Sequence, residues 1–381
     1  MRGILAFVPS TKTIAMKILK KTLKYAAYIL LLFAAYVITV LIYGTATDYQ
    51  PAPIIKLIPQ QQSQLAGLDK DTVSFLNWNI GYAGLGERAD FFYDSDRFFT
   101  SGGKMVKSPQ ADVFNYFEGI KRTLRDNAAD FVLLQEVDTA ARRSYYLNQY
   151  DSIAALFPAY SRSFGVNFNS GFVPLPLLEF WNTIGYVYAG LATYSRYQIF
   201  DNVRYQYPVH FGWPTRIFNL DRCAMVSQVA TRTAGKDLYV INSHNSAYDA
   251  NGTMRKQEQL FLKELVIKLF EQGHYVVVGA DWNLCPPFFR YDALMAVPQD
   301  SSFYMGNISP DLMPAGWTWA ADTTVGTHRE LIDRLELGKT FVSVIDYYLL
   351  SPNVELLRVK NIDTKYAFSD HQPVYLSIKL K

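Results

Sequence analysis

The chain has 381 residues; half are apolar, 15% aromatic and only 19% charged, which excludes intrinsic disorder and permits a large core in one or two domains. The net charge of +3 is concentrated at one end: Arg2, Lys12, Lys17, Lys20, Lys21 and Lys24 precede residue 45 without an acid, leaving 31 basic against 34 acidic residues in the remainder. That remainder has no global basic excess to attract nucleic-acid phosphates, and two cysteines, Cys223 and Cys285, exclude a disulfide framework or a four-cysteine zinc site.

Residues 1–24 read as a basic cytoplasmic segment, in which Met16 opens a second plausible start. Residues 25–44 contain an uncharged run of 19, YAAYILLLFAAYVITVLIY, about 28 Å long as a helix at 1.5 Å per residue. Tyrosines at both ends and lysines on one side predict a membrane helix with a cytoplasmic N-terminus and an extracytoplasmic remainder. The alternative is a cleaved signal peptide with Gly44-Thr45-Ala46 as the small-residue site. An extracytoplasmic body allows one bridge between the cysteines; two core thiols are the other reading. Residues 45–71, rich in Pro and Gln, read as a linker, and the folded domain is expected over 72–381.

Within that domain, runs rich in β-branched and aromatic residues predict strands at 73–79, 131–135, 191–194, 225–230, 237–242, 275–279, 342–350 and 374–379. Helical patterns occupy 110–127, 143–156 and 253–272. Interspersed strands and helices over some 310 residues predict an α/β or α+β layered domain.

Polar residues recur where these strands end. Asn79 closes the first (NWNIG), Glu136 the second (QEVD), and His244 follows another (NSHNS). Asp281 and Asn283 follow the buried run YVVVGA, Asp346 lies in VIDYYLL, and Asp370-His371 precede the last strand in SDHQPV. Each alone has an ordinary reading as turn former, surface acid or satisfied loop histidine. Six segments delivering an acid, amide or imidazole to strand boundaries instead predict one site on a sheet rim.

The ordered set WNI, QEVD, NSH, GADWN, IDYYLLS and SDHQPV resembles the endonuclease/exonuclease/phosphatase superfamily of divalent-metal phosphoesterases. The resemblance implies a four-layer sandwich: two mixed β-sheets flanked by helices. It also implies residue roles. Glu136 and Asn79 would bind the metal, Asn79 also touching phosphate, and Asp370 would hold a metal water or second ion. Asp281 would position or deprotonate the attacking water, and Asn283 would hold water or phosphate. His371, oriented by Asp346, would donate to the phosphoryl oxygen, and His244 would stand on the phosphate or leaving-group side. The implied ion is Mg²⁺, with Mn²⁺ or Ca²⁺ as alternatives. Alanine stands before Asp281 where the family often has glycine, and the 80–108 segment is long and unusual. Arg222, Arg255 and Arg329 are plausible phosphate contacts, but read individually as surface ion-pair residues.

Three readings of the substrate follow. Lipid head groups at a membrane surface are favoured by the N-terminal helix and by an apolar segment at 164–190, whose stretch FVPLPLLEFW (172–181) has the composition of a membrane-dipping loop; it reads equally as a covered loop, as does YQYPVHFGW at 205–213. An extracytoplasmic nuclease would need a basic groove. A catalytically inactive tethered scaffold would lack one of the site residues, and all are present.

Overall fold

The computed structural model describes residues 11–95, 97–247, 249, 251–294 and 306–381, the side chains of 13, 14 and 293 excepted. The chain divides into two compact units, residues 1–47 and 48–381.

The described part of the first unit is the helix α1 (Thr11–Ala46) and the residue that follows it. The helix begins well before the apolar run because the lysines preceding that run are good helix formers. Its stretch Ala15–Ala46 is long and apolar enough to cross a membrane. Thr22 and Thr39 donate their hydroxyls to the carbonyls of Ile18 and Ala35, one turn back, so neither donor needs water.

The second unit runs β1 (Ile54–Lys56), β2 (Thr72–Asn79), α2 (Gln110–Asp126), β3 (Phe131–Ala141), α3 (Gln149–Ala154), β4 (Ser161–Val173), β5 (Gly185–Ser195) and β6 (Asp201–Gln206). It continues with β7 (Cys223–Val229), β8 (Leu238–His244), α4 (Thr253–Glu271), β9 (Tyr275–Asp281), β10 (Thr318–Ala320), β11 (His328–Arg329), β12 (Val342–Ser343), β13 (Asp346–Leu350), β14 (Val354–Asn361) and β15 (Val374–Leu380). One sheet has the order β1-β6-β7-β8-β9-β13-β10 and the other β14-β15-β2-β3-β5-β4; β11 and β12 form a separate pair.

Strand alternation builds the layers. Val73 and Phe75 of β2 and Phe131 and Leu133 of β3 face Val240, Tyr275, Val277 and Tyr348 of the other sheet in one buried core. The intervening residues Leu76, Trp78, Val132 and Leu134 turn outward beneath Val113, Phe117 and Ile120 of α2 and Ile153 of α3. On the far side, Val276, Val278 and Ala280 pack under Leu262, Val266 and Leu269 of α4. The result is the expected four-layer sandwich. Gly279 is needed where the sheets approach: a Cβ there would stand 2.6 Å from Leu133 Cδ1 and 2.9 Å from Tyr348 Cε1.

Several sequence expectations are corrected. The 45–71 segment is not a free linker, and the compact unit starts at Asp48 rather than at 72. Ile54–Lys56 pairs antiparallel with β6, Gln61 bridges to Arg162, and Leu68 enters the core. An edge strand needs backbone partners more than apolar periodicity, so composition concealed it. The 143–156 helix shrinks to α3 because Tyr145 and Tyr146 adopt left-handed backbone (φ 56° and 59°), and Asn148 starts a new helix by accepting the Asp151 N–H. The 342–350 strand is two strands, β12 turning back on β11 and β13 joining the large sheet. The 164–190 segment is mostly β4 and β5, leaving a connection at 174–184. β4, β6 and β14 carry too many polar residues to have stood out. Both cysteines are buried free thiols.

Candidate active site

Each large sheet has a parallel pair near its centre: β2 with β3, where Asn79 lies opposite Gln135, and β8 with β9, where His244 lies opposite Asp281. The C-terminal ends of both pairs meet on one rim. Beneath it, buried amides tie the sheets together: Gln135 Nε2 donates to Asn77 Oδ1 at 2.8 Å and Asn242 Oδ1 at 2.7 Å, and Asn77 Nδ2 donates to the Ala280 carbonyl at 3.2 Å.

Asn79 is the hub. Its Nδ2 stands 3.0 Å from both Glu136 Oε1 and Asp281 Oδ2 and 3.4 Å from His371 Nε2, while its Oδ1 accepts the Gly81 N–H. Asp281 Oδ2 is also 3.3 Å from His244 Nε2 and 3.8 Å from His371 Nε2, and its Oδ1 accepts the Asn283 N–H. His371 Nδ1 stands 2.8 Å from Asp346 Oδ2. Asp370 offers a carboxylate oxygen within 4.8 Å of ring nitrogens of His371 and His328. Asn283 is turned partly aside: one amide N–H goes to the Asn245 carbonyl, leaving the other N–H and Oδ1 for a ligand. All eight predicted residues thus gather at this rim.

Local backbone aims two of them. β3 does not end before Glu136, as the sequence suggested; it continues to Ala141 through an irregularity between Leu134 and Val137. Glu136 sits there at φ 53°, and Asn283 has φ 49°. Side chains rarely adopt this region, and strain of this kind collects at functional sites.

Electrostatics follow from burial. Burial pushes Asp281 up to about 7, opposed by His371 and reinforced by Asp346. Burial also pushes Asp370 up to about 7, again opposed by His371 and reinforced by Glu136. For His371, burial disfavours the cation, but Asp346, Asp281 and Asp370 outweigh it and hold the ring protonated. Burial, Arg222 and His371 keep His244 neutral, and its Nδ1 has no hydrogen-bond partner. Among the described residues, neither Glu136, Asp281 nor Asp370 forms an ion pair with lysine or arginine. Such a donor set fits a divalent cation, whose charge would relieve the cost of crowding buried carboxylates.

The three arginines separate. Arg329 is fully buried rather than a surface ion-pair residue: its guanidinium donates to the carbonyls of Leu85, Gly86 and Ala89, and its N–H to the Asp370 carbonyl. It pins the 80–108 insertion to the site. Arg255 spans the Asn283 and Asp249 carbonyls. Arg222 lies close enough to His244 to depress its pKa, and its Nη1 is buried without a partner. The sequence reading missed His328, which packs 4.7 Å from the His371 ring, with Nδ1 3.3 Å from Ser343 Oγ. No motif flagged it, because the backbone bridge between His328 and His371 joins residues 43 apart.

No curated protein sequence matches this chain. Among solved structures, an endonuclease/exonuclease/phosphatase from Beutenbergia cavernae aligns with TM-score 0.52 and 16% identity, covering 82% of this chain and 72% of its own. The human Nocturnin catalytic domain with bound sulfate aligns with TM-score 0.49 and 14% identity (83% and 96% covered). Danio rerio TDP2 in complex with single-strand DNA product aligns with TM-score 0.47 and 15% identity (81% and 100% covered). The family model described as Endonuclease/Exonuclease/phosphatase family matches residues 76–371. The chain therefore belongs to the endonuclease/exonuclease/phosphatase family.

Proposed function

We propose that the protein is a Mg²⁺-dependent phosphoesterase that hydrolyses a phosphate ester on a lipid head group at a membrane surface. The observation that carries the hydrolytic reading is the convergence of Glu136, Asp281 and Asp370, without lysine or arginine counter-ions, on the Asn79 amide and the Asp346–His371 pair. Glu136, Asn79 and Asp370 would hold the ion, which supplies charge neutralisation at the phosphoryl oxygens. Asp281 orients the attacking water and accepts its proton as the new P–O bond forms in line with the bond that breaks. Asn79 and the second N–H of Asn283 hold phosphate oxygens. His371, kept cationic by Asp346, donates to the phosphoryl oxygen, and His244 faces the leaving group. Arg222 brings an uncommitted Nη1 to the same side, suited to a phosphate oxygen.

The lipid reading rests on the membrane-length helix and on the acidic balance of the remaining chain. In this reading residues 1–24 are cytoplasmic, 25–44 span the bilayer, and the catalytic unit stands outside the cytoplasm.

The test uses the full chain in detergent and its Asp281→Ala variant. Both are incubated with Mg²⁺, with and without chelator, on phospholipid and sphingolipid vesicles, on plasmid DNA and on small soluble phosphoesters. Head-group or phosphate release from vesicles, abolished by the substitution and by chelator, is expected. DNA nicking with inert vesicles overturns the lipid reading and leaves a nuclease. Inactivity on vesicles, DNA and small phosphoesters alike overturns the hydrolytic reading and leaves a tethered scaffold.

A further inference from the structure

The 80–108 insertion starts at the candidate active site and reaches away from it before Ser108 returns to the Gly84 carbonyl. Gly81 lies against Asp370, where a Cβ would stand 2.8 Å from Oδ1. At its far end, the insertion runs beside the connection between β4 and β5. Leu177 N–H donates to the Phe98 carbonyl at 2.9 Å and Leu178 N–H to the Phe99 carbonyl at 2.8 Å. Glu179, the acid in FVPLPLLEFW, does not interrupt the surface they share. One carboxylate oxygen accepts the N–H and hydroxyl of Ser101 at 2.7 and 2.9 Å, and the other accepts the Asn182 amide. Burial opposes ionisation, but the three bonds together outweigh it and hold the Glu179 pKa below the usual carboxylate range.

With its acid committed, the joined surface is apolar and outward. Trp181 is 75% exposed and Phe99 63%, with Phe98, Leu178 and Phe180 also exposed. Five large apolar side chains brought together from two segments 80 residues apart far exceed the scattered exposure of an ordinary surface. Cations border them. Arg97 is exposed beside Phe98, and Arg142 donates to the Trp181 carbonyl and to Thr183. Lys107, its pKa lowered by burial and by Arg142, stands nearby. Arg143, next in the chain, stacks 3.8 Å over the Tyr82 ring and pairs with Asp138, so the dipeptide Arg142-Arg143 holds the apolar loop with one residue and the site end of the insertion with the other.

We propose that these two segments form one bilayer-docking surface, the aromatic side chains entering the interfacial layer of an anionic phospholipid membrane while Arg97, Lys107 and Arg142 meet its phosphates. Aromatic residues with bordering cations match that interface in chemistry, and the chain carries a helix long and apolar enough to cross a bilayer, which the proposed function uses as its anchor. The insertion then has a role: it ties the docking surface to the rim that binds the ester. This deepens the lipid reading, yet docking itself is independent of catalysis.

The experiment reconstitutes the full chain into vesicles of equal parts phosphatidylcholine and phosphatidylglycerol carrying brominated acyl chains, and compares tryptophan quenching with that of Trp181→Phe. A quenched component present in the native chain and absent from Trp181→Phe is expected. A second variant, Phe99→Ser with Phe180→Ser, should lose that component and hydrolyse vesicle lipid about tenfold more slowly, while hydrolysing a soluble chromogenic phosphodiester at the native rate. An unquenched Trp181 overturns the docking surface even if lipid is hydrolysed. Quenching without lipid hydrolysis supports docking and removes the lipid substrate instead. Concentration-dependent self-association in detergent, abolished by the double variant, overturns the proposal in favour of a second copy of this chain.

Discussion

His371 Nδ1 and Asp346 Oδ2 stand 2.8 Å apart, both residues buried, and the two come from opposite sheets: Asp346 opens β13 and His371 leads into β15. The contact fixes the ring so that Nε2 turns toward Asn79 and Asp281. Asp346→Asn keeps the shape and removes the charge that stabilises the imidazolium. The expected result is a fall in kcat of about 10²–10⁴-fold with little change in KM. A proportionate rise in KM instead would assign Asp346 to substrate binding.

Glu136, proposed to hold the ion, sits on backbone already strained at φ 53°. Glu136→Gln preserves size and, through its oxygen, the contact with Asn79. The Mg²⁺ concentration for half-maximal activity should rise at least about tenfold, with activity recovering at saturating metal. Isothermal titration with Mn²⁺ provides a reading independent of turnover, and unchanged affinity in both measurements would remove Glu136 from the metal site.

Gly279→Ala tests the approach of the sheets. The added methyl meets Leu133 of the facing sheet and Tyr348 of the adjacent strand β13, and an overpacked interior of this kind costs about 1–3 kcal/mol. Denaturant unfolding of the variant should show a lower midpoint at an unchanged slope; an unchanged midpoint would mean that the core yields freely.

Asp221 gives the second unit a pH dependence away from the site. Burial raises its pKa from 3.8 to about 7, with Arg204 opposing and Asp48 reinforcing. A raised acid keeps its proton in the folded state while the unfolded chain loses it. Its contribution to stability is therefore complete below pH 3.8 and lost progressively as pH rises to about 7, amounting to no more than about 4 kcal/mol. Asp221→Asn should raise the melting temperature at pH 8 relative to the native chain and leave it nearly unchanged at pH 4. An equal shift at both values would assign the effect to packing.

Local stretches of sequence carried the layer type, the membrane-length helix and the eight polar residues that gather at one rim. Strand cores such as YVVVGAD and FVLLQ are local apolar runs, and local runs bounded by polar residues can be read without a partner. Gly279-Ala280-Asp281 was legible for the same reason: a carboxylate at the end of a buried strand implies something positive to meet it.

Which residues meet depended on how the sheets and loops pack. β4, β6 and β14 exist because neighbouring strands offer their backbones, and nothing in their own polar sequences requires them to be extended. His328 reaches His371 through one backbone bridge formed when β11 folds onto β12. Arg329, surface-like by composition, is buried because three insertion carbonyls accept from its Nη2 and the Asp370 carbonyl accepts its backbone N–H. Glu179 turns from an exposed charge into a clamp only when Ser101 arrives from the insertion. Each of these outcomes depends on a hydrogen-bond partner distant in sequence, and burial of a polar group is settled by that partner rather than by the residue itself.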